Sequence, residues 1–364
     1  MTVIAPAEVD AVVLVGGKGT RLRPLTLSAA KPMLPTAGVP YLEHLLSRIR
    51  EAGMRHVVLG TSYRAETFEE YFGDGSDFGL DIEYVVEDEP LGTGGGIRNV
   101  FDRLRYDTAM IFNGDVLSGV DLRAVLRTHE DARADVTLHL VRVADPRAFG
   151  CVPTDATGRV LGFLEKTDNP PTDQINAGCY VFRRDVVAGI PAGVAVSVER
   201  DTFPSLLAGG ARVVGHVDTS YWLDLGTPMA FVQGSADLVA GVAPTAALPK
   251  AQAHDIDRLI LSGARVDPAA VINGGSAIGA GARVAAGAEI RGCVVMDEAQ
   301  IGPDAQLASS VIGRSARIGA GVVLVDAVIG DGAVIGAGCE LRAGARVWPG
   351  VVLADGAIRF SSDG

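Results

Sequence analysis

The sequence predicts an α/β domain with a mixed, mostly parallel sheet, followed by a left-handed parallel β-helix of hexapeptide repeats. Three observations predict it. Up to about residue 235, short apolar runs alternate with amphipathic stretches. A stretch rich in proline and alanine, GVAPTAALPKAQA (241–253), follows with little periodicity. Beyond it, aliphatic residues recur every five or six positions. The expected division is a first domain over 1–240, a linker over 241–255 and a repeat domain over 256–364. A chain of 364 residues is more than one hydrophobic core usually serves.

In the first domain, AVVLV (11–15) reads as the opening strand. YLEHLLSRIREAG (41–53) has helical spacing, with Leu42, Leu45, Leu46 and Ile49 on one face and Gly53 as its stop. HVVLG (56–60), DIEYVV (81–86), TAMIF (108–112) and DVTLHLV (135–141) read as further strands, with helical candidates between several of them. Such alternation implies a sheet covered on both faces, whose ligands bind beyond the carboxyl ends of the strands.

The second domain has a different period. Ile278, Val284, Ile290, Val295, Ile301, Leu307, Ile312, Ile318, Leu324, Ile329, Ile335, Leu341, Val347 and Leu353 are spaced six, six, five in repeated cycles as far as Leu341, so Ile278, Val295, Ile312 and Ile329 are each 17 apart. Glycine follows many of them. An aliphatic–Gly–x–x–small–x hexapeptide marks a parallel β-helix, each aliphatic side chain pointing inward from a triangular coil while glycines relieve the corners. A disordered Gly/Ala-rich linker has no reason to keep this period. Trp348 and Pro349 read as a cap, and the open end of the coil suggests a homo-oligomer.

Composition narrows the function. A net charge of −12 argues against a nucleic-acid partner, which calls for a basic face. The N-terminal MTVIAPAEVD lacks the basic and apolar regions of a signal peptide, and the apolar runs are strand-sized, so neither secretion nor a membrane is expected. Cys151, Cys179, Cys293 and Cys339 have no metal or redox spacing and read as buried thiols in the reducing cytoplasm.

The stretch VGGKGTRLRPLTLSAAKPMLP (15–35) carries the strongest chemistry. It is not a P-loop, because no glycine stands in register before Lys-Ser or Lys-Thr, and Gly17-Lys18-Gly19-Thr20-Arg21-Leu22 lacks the third glycine of a dinucleotide fingerprint. Its glycines let backbone N–H groups approach an anion or a base edge. Arg21 and Lys31 bring positive charge, and Pro24, Pro32 and Pro35 stiffen the loop. Asp115, in Asn113-Gly114-Asp115 at the end of TAMIF, suits either a turn or a ligand of a hard cation.

With EDEPLGTGGG (87–96), FNGDVL (112–117), FLEKTD (163–168), INAGCYVF (175–182), SVERDTFP (197–204) and YWLDLGTP (221–228) following in order, the chain resembles the sugar-1-phosphate nucleotidylyltransferases. Within that family it most resembles the enzymes that join GTP and mannose 1-phosphate. The resemblance implies a Rossmann-like catalytic domain and Mg²⁺ as cofactor. It also implies in-line attack of a sugar-phosphate oxygen on the α-phosphorus of the nucleotide, with pyrophosphate leaving. It assigns the catalytic roles to Arg21, Lys31, Asp115 and Lys166, and the metal to Asp115 and Asp224. The nucleotide falls to Gly16, Gly17, Gly19, Thr20, Arg21, Lys31, Gly92 and Thr93, with Leu91 and Gly94 beside them. The sugar phosphate falls to Gly114, Glu165, Lys166, Asn176 and Gly178.

Two positions depart from the family pattern: Gly94-Gly95-Gly96 stands where an alanine is usual after the threonine, and Thr167 stands where proline is common. Two alternatives stay open, and a third, acyl transfer, is disfavoured. A uridylyl- or thymidylyltransferase acting on glucose 1-phosphate would share the phosphate residues. A non-catalytic nucleotide-sugar-binding subunit would be expected to lose charge at Arg21, Lys31, Asp115, Lys166 or Asp224, all of which are present. An acyltransferase would want a histidine in the coil, and none of the six histidines lies in the repeat.

Overall fold

The computed structural model describes residues 4–62, 64–164 and 166–359. The chain forms two compact units, one of residues 1–17 and 46–222, the other of 18–45 and 223–364.

The first unit is organised around a seven-stranded sheet. Its strands are β1 (Asp10–Leu14), β2 (His56–Thr61), β3 (Asp81–Val86), β4 (Thr108–Asn113), β5 (Val136–Arg142), β6 (Gln174–Arg183) and β7 (Val213–Asp218), in the order β7-β5-β6-β4-β1-β2-β3. β6 runs antiparallel to β4 and β5, and the other pairs are parallel, so the sheet is mixed as expected. The apolar runs become strands because both of their faces are covered: Val12, Val58, Ile111 and Leu138 are fully buried.

The helix read over 41–53 is α1 (Tyr41–Ala52), ended by Gly53 at φ 102°, a left-handed stop that glycine adopts without strain. It buries Leu42, Leu46 and Ile49, while Leu45 is only half-buried. At the start of β1 the fully buried Asp10 carboxylate accepts from the backbone N–H groups of Arg105 and Tyr106, both at 2.9 Å, and lies 2.6 Å from His56 Nδ1. A buried carboxylate needs these partners to avoid an uncompensated charge. α3 (Gly92–Asn99), the third helix after α1 and α2 (Ala65–Phe72), follows β3.

In the second unit the coil register reproduces the spacing read from the sequence. Ile278 pairs with Val295, Val295 with Ile312 and Ile312 with Ile329, and the step lengthens by one residue to Val347. Three parallel ladders stack their aliphatic side chains inward into one core, with Ala282, Ala299, Ala316 and Ala333 filling the corners. This is a parallel β-helix. The glycines after the aliphatic residues are needed for close approach rather than for backbone freedom. A Cβ on Gly302 would lie 2.8 Å from Gly319 of the next coil, and one on Gly330 would lie 2.6 Å from the Pro349 nitrogen. Trp348 does not cap the coil. It is 47% exposed, the chain continues into another strand, Val352–Leu353, and Glu340 N–H donates to the Ile358 carbonyl beyond it.

The outward side of the three ladders is not uniform. One reads Arg265, Arg283, Gln300, Arg317, Val334, Val352 and another Val271, Glu289, Gln306, Val323, Glu340. The third reads Leu259, Ala277, Val294, Val311, Val328, and all five residues are buried. Val294, Val311 and Val328 are covered by Leu22, Leu25 and Leu34 of the 15–35 stretch and by Phe231 and Val232 of the helix Pro228–Val239. The stretch of densest chemistry therefore has its apolar side chains seated on the β-helix.

Candidate active site

In the first unit, the residues singled out from the sequence gather along the carboxyl edge of the parallel strands. Just past β1, Gly16 accepts a 2.6 Å hydrogen bond from Ser62 Oγ, and a Cβ on Gly16 would press on that oxygen at 2.9 Å. A Cβ on Gly17 would meet nothing within 4 Å. After β4, Gly114 donates its N–H to the Leu14 carbonyl at 2.9 Å, and a Cβ on it would lie 2.6 Å from Val15 Cγ1. That contact brings Asn113-Gly114-Asp115 beside the end of β1, with Asp115 half-buried.

Gly92 and Thr93 open α3 after β3. The departure at 94–96 has a packing cause. Gly94 N–H donates to the Val196 carbonyl at 2.8 Å, and a Cβ on Gly95 would lie 2.7 Å from the Val194 carbonyl oxygen. A Cβ on Gly96 would lie 2.7 Å from Glu87 Oε1. Three glycines inside a helix cost roughly 1 kcal/mol each relative to alanine, and here they permit this close approach. Thr93 Oγ1 accepts from Val198 N–H at 2.9 Å. Glu87 is held above the usual carboxylate range by burial, which the hydrogen bond from Leu91 N–H partly opposes.

β6 is antiparallel, so its first residues reach the same edge. Asn176 Nδ2 donates to Tyr180 Oη at 2.7 Å and to Glu199 Oε1 at 2.6 Å, while Asn176 Oδ1 accepts from Gly178 N–H at 3.1 Å. Gly178 has φ 77°, and a Cβ on it would lie 2.8 Å from Asn113 Nδ2. FNGD and INAG thus meet although some sixty residues separate them. Asn176 and Glu199 line a cavity of 340 Å³ with Phe149, Phe163, Leu164 and Arg200. Burial drives the Tyr180 phenol well above its ordinary range, so it stays neutral. Leu164 is pinned to Cys151 by reciprocal backbone bonds of 2.9 and 3.0 Å, and the chain leaves the cavity rim there toward an exposed Lys166. Glu165 lies outside the described residues. The cavity adds Glu199 to the residues anticipated. Its motif, SVERDTFP, was visible, but no local signal joined it to Asn176.

In the second unit, the loop that carries Gly19, Thr20, Arg21 and Lys31 closes on itself. Gly19 has φ 57°, its carbonyl accepts from Thr26 Oγ1 at 2.9 Å, and a Cβ there would lie 2.9 Å from Lys31 Cβ. Thr20–Leu22 forms a short 3₁₀ turn from which Arg21 projects, exposed. Its guanidinium lies against Gly226, where a Cβ would come within 2.6 Å of Nη2 and 2.8 Å of Cζ. Asp224, half-buried, stands two residues before Gly226. Lys31 begins its own 3₁₀ turn and is half-buried.

A nucleotidyl transferase family model matches residues 10–241, well over half of the chain. The chain belongs to the nucleotidyl transferase family. A model described as the GMPPB C-terminal domain matches 256–326, within the β-helix of this nucleotidyl transferase. It is 64% identical to the mannose-1-phosphate guanylyltransferase of Mycobacterium tuberculosis over 99% of this chain and 100% of that protein. It is 28% identical to a UTP–glucose-1-phosphate uridylyltransferase of Synechocystis sp., over 80% of this chain and 84% of that one. Among solved structures it is similar to HddC from Yersinia pseudotuberculosis, crystallised with GMP-PN. That match has 26% identity and TM-score 0.56, covering 63% of this chain and 99% of that chain.

The metal expected from the family is a hard cation, which takes oxygen ligands such as carboxylates. Asp115 lies in the first unit and Asp224 in the second, each half-buried, and among the described residues no group of three or more His, Cys, Asp or Glu could hold a metal ion. Mg²⁺ typically takes one or two carboxylates and completes its shell with water and substrate phosphate oxygens.

Proposed function

We propose that this protein is a mannose-1-phosphate guanylyltransferase, transferring the guanylyl group of GTP to mannose 1-phosphate. The single observation that carries the reading is 64% identity over the full length of a protein of that name. The motifs that line the carboxyl edge of the sheet support it.

An oxygen of the mannose 1-phosphate attacks the α-phosphorus of GTP and forms the new P–O bond. The bond between the α-phosphorus and the β-phosphate bridging oxygen breaks in line, and pyrophosphate leaves with its electron pair. No proton need move, so the residues act by charge and position. Arg21 and Lys31 grip the triphosphate and offset the charge of the departing pyrophosphate. Gly16, Gly17, Gly19, Thr20, Gly92 and Thr93 present backbone and hydroxyl groups to base, ribose and phosphates. Lys166 neutralises the incoming sugar phosphate, and Glu165, Asn176, Gly114 and Gly178 form the sugar side, with Asn176 offering both a donor and an acceptor to hydroxyls. Asp115 and Asp224 would each offer a carboxylate to Mg²⁺, which would supply Lewis-acid polarisation of phosphate oxygens.

Along the chain we take 1–240 as the catalytic part, 241–255 as connector and 256–364 as the β-helix, with 18–45 belonging by packing to the unit of the β-helix. A homo-oligomer formed through the coil remains part of this reading. So does a reducing cytoplasmic setting, supported by the four buried free thiols. Among the described residues no helix is long and apolar enough to cross a membrane.

The test is pyrophosphate release with Mg²⁺ and each of GTP, UTP, dTTP, ATP and CTP, crossed against mannose 1-phosphate and glucose 1-phosphate. Release confined to GTP with mannose 1-phosphate, and lost in Asp115→Ala, is the expected result. Preference for UTP or dTTP with glucose 1-phosphate would overturn the substrate assignment, and no release with any pair would favour a non-catalytic regulatory subunit.

A further inference from the structure

The apolar outward ladder of the β-helix ends one coil beyond Val328 in a cation. Arg346 occupies the register position where another aliphatic residue would extend the face. Its Nη1 donates to the carbonyl oxygens of Arg21 at 3.0 Å and Arg23 at 2.7 Å. Nearby on the coil, the Asp331 carboxylate is shared: Oδ1 accepts from Arg314 N–H at 2.8 Å, and Oδ2 accepts from Ser28 Oγ at 2.6 Å. These two contacts hold both ends of the segment 21–28, between which Leu22 and Leu25 are buried on the ladder.

The apolar and polar contacts do different things. Burial of Leu22 and Leu25 attaches the segment, but hydrophobic contact is non-directional and leaves the backbone free to slide or rotate over the valines. Hydrogen bonds restrict distance and angle, and those to a charged guanidinium or carboxylate are the stronger kind. The carbonyls that Arg346 holds belong to the 3₁₀ turn from which Arg21 projects, and to the residue just after it. Arg21 is thereby restrained at two points, its carbonyl by Arg346 and its guanidinium by the surface of Gly226.

We propose that Arg346 and Asp331, on the β-helix, are positioning residues for Arg21, so that the repeat domain sets the geometry of the triphosphate-gripping loop. This rests on the reading of Arg21 as a nucleotide ligand. The β-helix is then a structural part of the nucleotide site, independent of any role in assembly.

The test uses the intact chain and pyrophosphate release with GTP and mannose 1-phosphate varied separately. Arg346→Met keeps the apolar stem and removes the donors. The expected result is a fall of about tenfold or more in kcat/KM for GTP, with KM for mannose 1-phosphate unchanged. The melting temperature should stay the same, because Arg346 is exposed. Arg346→Lys should recover part of the loss, Ser28→Ala should give a smaller loss in the same direction, and Arg346→Met should add nothing in an Arg21→Ala background. Wild-type GTP kinetics in Arg346→Met would overturn the proposal. So would an equal loss for both substrates accompanied by a lower melting temperature, or a loss undiminished when Arg21 is absent. Failure of the underlying reading looks different: the unaltered protein would release no pyrophosphate from GTP with mannose 1-phosphate, and the proposal would fall with it.

Discussion

Gly226→Ala tests how tightly the site depends on the Arg21 guanidinium. The added Cβ would lie 2.6 Å from Nη2, 2.8 Å from Cζ and 3.0 Å from Nη1, where ordinary contact begins near 3.4 Å. The backbone at Gly226 has no positive φ, so alanine is tolerated there and the strain falls on the far end of a flexible side chain. The guanidinium must move by roughly 0.8 Å, and a misplacement near 1 Å costs on the order of a hundredfold in rate, or about 2.7 kcal/mol of transition-state stabilisation. The melting temperature should barely change, since Gly→Ala at a compatible position alters stability by about 1 kcal/mol or less. Pyrophosphate release with GTP varied measures the effect on kcat/KM. The decisive comparison is the double variant: with Arg21→Ala already in place, Gly226→Ala should cost almost nothing more. An undiminished loss in that background, or none in the single variant, would refute the reasoning.

Three further outcomes follow from the same contacts. His44 and His129 are both lowered to about 4 by burial, His44 while its Nε2–H donates to the Thr36 carbonyl and its Nδ1 accepts from Thr245 Oγ1, so both are neutral in the folded chain at neutral pH. The unfolded chain takes up protons near pH 6.5 and the folded chain near 4, so stability is full above 6.5 and falls through that window, by up to about 3 kcal/mol per histidine. Urea midpoints that stay level between pH 7 and 4.5 would contradict this. Val311→Asp places an unpaired charge on the covered ladder and should cost more than about 3 kcal/mol, whereas Gln300→Asp on an open ladder should cost about 0.5 kcal/mol or less; equal chemical-denaturation midpoints would deny the asymmetry. Glu199→Ala removes one of the two acceptors of the Asn176 amide and should raise KM for mannose 1-phosphate by about ten- to a hundredfold while leaving KM for GTP unchanged, a split that steady-state kinetics reads directly.

Much of the fold was legible because its signals are local. A strand buried on both faces reads as a run of aliphatics, which is why TAMIF (108–112) marks β4 (Thr108–Asn113), buried along all but its last residue. A coil that returns every 17 residues reads as a period of 17, which is why Ile278, Val295 and Ile312 stack as spaced. The antiparallel run of β6 was not legible, since pairing direction depends on where distant strands find partners.

The site divides in the same way. The Gly-rich turn, Arg21, Lys31 and Asp115 stand out in the sequence by residue type and neighbours, and Asp224 only through the resemblance of its motif. Asn176 with Glu199, Arg21 with Gly226, and Arg346 with the Arg21 and Arg23 carbonyls join positions that are 23, about two hundred and more than three hundred residues apart. The sequence by itself determined the elements, the coil and the chemistry of the loops, because propensity and periodicity act over a few residues. Only the tertiary structure decided what covers the third face of the β-helix and what holds Arg21, because hydrophobic burial accepts any apolar partner and the long-range contacts choose among them.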